Sequence, residues 1–166
     1  SVFSAPAFSQ DLPIRQFLIS PSIDPLSDKN KELPESVIQE VLNRFHLDPE
    51  KPMVTQISRF DYLKDPLGVI DAFEQVQRRV DCQLVLAGGE ATDDPESTEV
   101  LTKVRERAAD NPDIHVLAIP SGSDIEINAL QRASSVVVQK SIKEGFGLTV
   151  SEALWKAKPT VASAVG

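Results

Sequence analysis

One cysteine, Cys82, stands among 166 residues. A single thiol excludes an intrachain disulfide and fits a reducing, cytoplasmic compartment. The two histidines, His46 and His115, share no ligand set with each other or with Cys82, so both read as surface or core residues. No apolar run approaches the ~18 residues that a membrane span needs, and the first residues lack the basic-then-apolar order of a signal peptide. Basic residues are outnumbered, 17 against 25 acids, for a formal net charge of -8. That balance argues against coating nucleic acid or an anionic membrane, although it leaves room for a local anion pocket. No Gly-Lys-Ser/Thr follows the glycine-marked turn at 145–147, so a Walker loop is excluded.

What remains is ordinary for a soluble globular domain with a real core, at 41% hydrophobic and 25% charged residues. Residues 1–33 read as an irregular hinge or linker, punctuated by Pro6, Pro13, Pro21 and Pro25. From residue 34 onward the pattern becomes regular. PESVIQEVLNRF carries Val37, Ile38, Val41, Leu42 and Phe45 at helical spacing, with Pro34 at the first helical position. MVTQIS (53–58) reads as a buried strand. DPLGVIDAFEQVQRRV follows as a helix with Asp65 as N-cap, Pro66 at its first turn and a stripe of Val69, Phe73, Val76 and Val80. QLVLAGG, IHVLAIP, SVVVQ and PTVASAV continue as strands. Helices over 94–110, 123–134 and 147–157 separate them, and Ser123 and Glu126 stand in capping-box register. Trp155, in a helix that also contains Leu154, reads as a packing residue, and Cys82 as inert.

Strands that are apolar almost throughout are buried on both faces. Their strict alternation with helices predicts an α/β fold, a Rossmann-like doubly wound parallel sheet over 34–166 with helices on both faces. Ligands of such sheets sit beyond the carboxyl ends of the strands. SRFDYLKDP, GGEATDD, PSGSD and QKSIKEGFG all follow strands and therefore share that rim. In the first, Arg59 and Lys64 precede a helix N-terminus, an arrangement that suits an anion. In the last, Gly145 and Gly147 open a helix whose first N–H groups, at Leu148 and Thr149, face the same rim. Glu144 and Glu152 bracket that turn with seven residues between them. Acids repel phosphate but accept hydrogen bonds from sugar hydroxyls. A nucleotide sugar has hydroxyls at both ends of its diphosphate, and that resolves the conflict of signs.

The Glu144-Gly145-Phe146-Gly147-Leu148 run with Glu152 resembles the E-x7-E motif of retaining glycosyltransferases of the GT-B type, family 4. SRFDYLKDP is similar to that family's Arg…Lys pair, and LVLAGGE to its apolar strand ending in glycine. PSIDPLS, TQISRFD and EGFGLTVSEALWKAKP resemble the trehalose-forming members, both the glycosyltransferring synthases and the retaining phosphorylases. The resemblance covers roughly residues 20–166 and implies one half of a GT-B fold, the donor-binding domain. It implies that Arg59 and Lys64 hold a donor diphosphate, Glu152 the ribose hydroxyls, and Glu144 the transferred glucose. Backbone amides around Gly145, Phe146, Gly147, Leu148 and Thr149 would assist. Arg59, Lys64 and Glu144 would be the catalytic set.

The implied partners are a nucleoside-diphosphate-glucose donor and a glucose acceptor held by an N-terminal domain absent from this sequence. No nucleic acid or membrane is implied, and a homodimer is compatible. No cofactor or metal is expected, because Asp93-Asp94 is adjacent rather than spaced as a metal–diphosphate bridge requires. Two positions depart from the family: Asp65 and Ala157 stand where glycine is usual, and the second is read as a packing position. The chain reads as a piece of a longer protein.

Three other readings remain open at the sequence level. A phosphorylase would use inorganic phosphate and leave Glu152 dispensable. A non-catalytic doubly wound nucleotide binder would not need Arg59, Lys64 and the acids to converge. A hydrolase would need Glu144 and Glu152 to face one another.

Overall fold

The computed structural model describes residues 1–89 and 95–165. Two short strands, β1 (Val2–Phe3) and β2 (Phe17–Leu18), pair in parallel ahead of the main body. Then follow α1 (Glu35–Arg44), β3 (Met53–Ile57), α2 (Pro66–Gln77), β4 (Gln83–Gly88), α3 (Pro95–Ala108), β5 (Ile114–Ala118), α4 (Asp124–Ala133), β6 (Val136–Gln139), α5 (Leu148–Trp155) and β7 (Thr160–Ala162). Strands β3 to β7 form one five-stranded sheet in the order β5-β4-β3-β6-β7, every pair parallel. The predicted doubly wound α/β architecture is the one observed.

Alternation along β4 explains the two cores. Leu84 and Leu86 of β4 pack with Val69, Ile70 and Phe73 of α2 and Val100 and Val104 of α3. Val85 and Ala87 point the other way, toward Ile38, Val41 and Leu42 of α1 and Ala129 and Leu130 of α4. A strand with period-2 side chains buried on both sides holds its register, because a one-residue slip would exchange the two sets. Helix α5 joins the α1/α4 side, where it meets α4 through side-chain hydrogen bonds.

Because β3 leads outward to β4 and β5 while β6 leads to β7 on the opposite flank, the chain reverses direction between β3 and β6. Adjacent connections diverge there, opening a crevice at the carboxyl ends of these two strands. Two devices shape its floor. A Cβ at Gly88 would overlap the Ser58 carbonyl oxygen, so only glycine lets β4 end against the loop leaving β3. Asp65 takes a left-handed backbone, φ 47°, and its side chain accepts the Gly68 N–H at 3.1 Å. Pro66 occupies the first turn of α2 as the sequence predicts. Asp65 thus tolerates the left-handed region and caps the helix besides. Asp65 also pairs with Lys140 across the crevice.

Several expectations need correcting. Residues 24–31 are not loosely hinged: the Asn128 side chain donates to the carbonyls of Asp28 and Lys31, both at 2.8 Å, and Arg132 donates to those of Asn30 and Lys31. Asn30 is buried there. The capping box at α4 does not form. Ser123 makes no side-chain cap, and Glu126 instead accepts from Arg44 of α1 at 2.7 Å. Val76 and Val80 are 45% and 48% exposed rather than core, and Val80 lies beyond the end of α2 at Gln77. Trp155 and Leu154 are likewise more than half exposed, since α5 turns only Glu152 and Ala153 inward.

Ala157 is exposed and left-handed, φ 55°, so it is not a packing position. It ends α5 in a Schellman-type turn, with the Lys158 N–H bonded to the Ala153 carbonyl at 3.0 Å. His46, φ 55°, plays the same part after α1. A left-handed non-glycine residue costs roughly 1–2 kcal/mol, partly offset because glycine is freer when unfolded. Ala157→Gly should therefore stabilise the protein by about 0.5–1 kcal/mol, read as a higher urea midpoint at unchanged m value. A lower midpoint would show that the alanine side chain contributes packing after all.

Candidate functional site

The loops leaving β3 and β6 carry the charged residues singled out from the sequence. Arg59 follows β3 by two residues and its side chain is 69% exposed. Its guanidinium stands 3.0 Å from Asp61 Oδ2, an ion pair without hydrogen-bond geometry. Asp61 is itself committed: its Oδ1 accepts the Lys64 N–H at 3.0 Å and caps the 3-10 turn Tyr62–Lys64. Arg59 is thus held near the crevice without being used up.

Lys64 closes that turn, and its Nζ donates to Glu144 Oε2 at 2.7 Å. Both side chains are only 18% exposed. The same oxygen accepts from Ser141 Oγ at 3.1 Å and Gln139 Nε2 at 3.2 Å, while among the described residues Glu144 Oε1 accepts only the Gly145 N–H, at 3.0 Å. A carboxylate has about four acceptor sites, so the remaining capacity lies on Oε1. Partial burial pushes the Glu144 carboxyl upward. The hydrogen bonds from Lys64 and Gly145 and the Lys64 charge outweigh it, bringing the group from its ordinary 4.5 to about 2. A depressed carboxyl contributes stability that is fully present above pH 4.5 and is lost as the pH falls through about 2. Glu144 is therefore ionised throughout the neutral range.

Helix α5 begins one residue beyond Gly147, which takes φ 82° as its N-cap. The first bond back to the Gly147 carbonyl comes from Val150 N–H at 2.9 Å, so the N–H groups of Leu148 and Thr149 precede any intrahelical partner. The Thr149 hydroxyl donates to the Ile57 carbonyl at 3.3 Å, fastening the helix start to the end of β3. Gly145 has open space where a Cβ would project, and its N–H is occupied by Glu144. Phe146 is 46% exposed on the lip.

Arg59, Leu148, Thr149 and Glu152 line one cleft of about 320 Å³ together with Lys29 and the Gly122 turn after β5. Lys64 and Glu144 pair beside it. Glu152 is not the exposed helix acid that its position suggests: it is 7% exposed and accepts from Gln131 Nε2 at 3.1 Å. Glu144 and Glu152 have separate partner sets, and Glu152 rather than Glu144 lines this cleft. The GGEATDD segment from Glu90 onward, with Asp93 and Asp94, lies outside the described residues. Among the described residues no group of three His, Cys, Asp or Glu side chains could hold a metal ion.

Sequence reasoning missed Lys29, Gln131, Gln139, Ser141 and Lys156 as members of this neighbourhood. Lys156 carried a legible signal, since it stands four residues after Glu152 on the same helix face. Gln131 and Lys29 come from distant segments, and only the packing of α4 and residues 24–31 against α5 brings them in. His115 is half buried in β5, where burial lowers its pKa, and Cys82 is buried with its thiol pushed up by burial. Neither approaches the crevice, as the sequence implies.

Trehalose synthases of Thermococcus litoralis and Rubrobacter xylanophilus are 49% and 50% identical over 151 residues, 90% of this chain. The chain spans only 37% and 36% of their respective lengths. A trehalose phosphorylase of Pleurotus pulmonarius is 29% identical over 135 residues, covering 71% of this chain and 18% of that protein. The crystal structure of Anabaena HepE in complex with UDP and glucose superposes with a TM-score of 0.72 at 20% identity, over 91% of this chain and 39% of that one. That likeness bears on the fold alone. Residues 37–166 match the family described as glycosyl transferases group 1, and the chain belongs to that family.

Proposed function

We propose that this chain forms the donor-binding half of a retaining glucosyltransferase that moves glucose from a nucleoside diphosphate to glucose, giving trehalose. The observation that carries the reading is the convergence at one crevice of a loosely held guanidinium, two free helix N–H groups and a buried acid, with an ionised Lys–Glu pair alongside. Each has a counterpart on a nucleotide sugar. Arg59, Lys64 and the start of α5 suit the diphosphate. Glu152 suits a vicinal diol such as ribose, and the open Oε1 of Glu144 suits a hydroxyl of the transferred sugar. The identity to trehalose synthases supports glucose at both ends of the reaction. A cytoplasmic site for a soluble enzyme is part of the same reading.

The chemistry follows from charge. When the bond between the anomeric carbon and the diphosphate oxygen breaks, the electron pair leaves with the diphosphate. Donors already fixed at that oxygen lower the barrier most, because they need no reorganisation during the step. Glu144 fixes Lys64 through the 2.7 Å bond, so one acid serves to aim the cation and to receive the sugar. These charges supply the stabilisation without a metal.

Two measurements test the reading on the intact protein. Arg59→Ala and Lys64→Ala should each weaken nucleoside-diphosphate binding by about 1.5–3 kcal/mol, the worth of a charged hydrogen-bond partner, in isothermal titration calorimetry. Unchanged affinity in both variants would refute the assignment. Turnover should also survive exhaustive chelation within twofold, and a large loss restored by a divalent cation would contradict metal-free leaving-group stabilisation.

A further inference from the structure

Beneath the crevice lies a closed polar chain that the donor-binding reading does not use. Lys156, the C-cap of α5, is 7% exposed, and its ammonium has three acceptors: Gln131 Oε1 at 2.7 Å, Asn30 Oδ1 at 2.9 Å and the Glu152 carbonyl at 3.4 Å. It makes no hydrogen bond to the Glu152 carboxylate. Gln131, fully buried on α4, stands between the two, accepting from Lys156 and donating through Nε2 to Glu152 Oε2 at 3.1 Å. Asn30 in turn donates to the Asp24 carbonyl at 3.0 Å and to Ser27 Oγ at 3.3 Å.

From this arrangement we infer that Gln131 and Lys156 are positioning residues for Glu152, with Asn30 anchoring them to the segment 24–31. The inference rests on the reading of Glu152 as a donor-binding acid. Its physical basis is the one-way character of an ammonium, which has three donors and no acceptor. Glu152, as a carboxylate, only accepts and so takes the nitrogen end of the Gln131 amide. Lys156 requires the Gln131 oxygen, and the nitrogen is thereby turned to the carboxylate. Glu152 Oε2 is thus fixed by a donor from below. Its Oε1 stands 3.9 Å from Lys29 Nζ, an ion pair beyond hydrogen-bond distance, and both residues line the cleft.

A buried ammonium is costly unless its protons are satisfied. Burial pulls Lys156 from its ordinary value to about 8, with the nearby Glu152 carboxylate opposing that pull. A purely structural helix contact would be served as well by an apolar side chain. An ammonium in this place supplies an orientation that an apolar side chain lacks.

The test is a double-mutant cycle on the intact enzyme, read as the donor KM and kcat. Lys156→Met, and Gln131→Leu as a second variant should the first fold poorly, should raise the donor KM roughly tenfold, the order of a charge-assisted hydrogen bond. The acceptor KM should not change, and kcat should stay within about twofold. Glu152→Ala should raise the donor KM by itself. In the Glu152→Ala background the Lys156 and Gln131 substitutions should then add nothing, because residues acting through one group are not additive. If Glu152→Ala raises the donor KM and the other substitutions either add to it in full or have no effect alone, the positioning role is overturned while the donor site stands. If Glu152→Ala leaves the donor KM unchanged, the donor-site reading fails and the positioning role fails with it.

Discussion

Everything at this site depends on one topological constraint, the reversal of chain direction between β3 and β6. Two neighbouring parallel strands whose connections leave in opposite directions cannot close over their own carboxyl ends. The sequence then spends its unusual residues there. SRFDYLKD leaves β3 and KSIKEGFG leaves β6, and the two loops are joined by two ion pairs, Lys64–Glu144 and Asp65–Lys140. Thr149 fastens the third element, α5, to the last carbonyl of β3. The apolar layers behind these loops hold strand register, and register holds the loops opposite one another.

The electrostatics follow from the same geometry. A chain with a net charge of -8 does not attract phosphate as a whole. Locally, each acid of the site is already matched by donors of the chain itself. Glu144 is paired with Lys64, Asp61 faces Arg59, and Glu152 receives the Gln131 amide. Arg59 remains mostly exposed, and the N–H groups of Leu148 and Thr149 precede the first helical bond. The crevice therefore separates acids held by the chain's own donors from the exposed Arg59 guanidinium and the two helix N–H groups, with Glu144 Oε1 keeping acceptor capacity. That distinction lets two glutamates sit beside an anion site.

Much of this was legible from the order of residues. The strands could be read because both faces are covered, which leaves QLVLAG apolar after Gln83 and buries even Thr55 and Gln56 of MVTQI. The rim loops could be read because parallel strands send every following loop to one end. Local backbone handedness was not legible: Ala157 and His46 are left-handed only because each follows the last turn of its helix. Competition between partners was hidden as well. Glu126 is spaced to complete a capping box but finds Arg44 across a helix interface. The half-exposed Trp155 shows the limit of periodicity, since an apolar residue at helical spacing says nothing about whether its face is covered. The burial of Glu152 was out of reach for the complementary reason, because its partners come from residues near 30 and 131, far away in sequence.

The central claim concerns which bond is made, and the product tests it most directly. The intact protein would be supplied with nucleoside-diphosphate-glucose and glucose, and the mixture followed by NMR. The account predicts a new non-reducing disaccharide, trehalose, whose newly linked glucose keeps the anomeric configuration of the donor, formed in step with free nucleoside diphosphate. Absence of any disaccharide from the nucleotide donor, with trehalose formed instead from glucose 1-phosphate and glucose, would contradict it and identify phosphate as the leaving group.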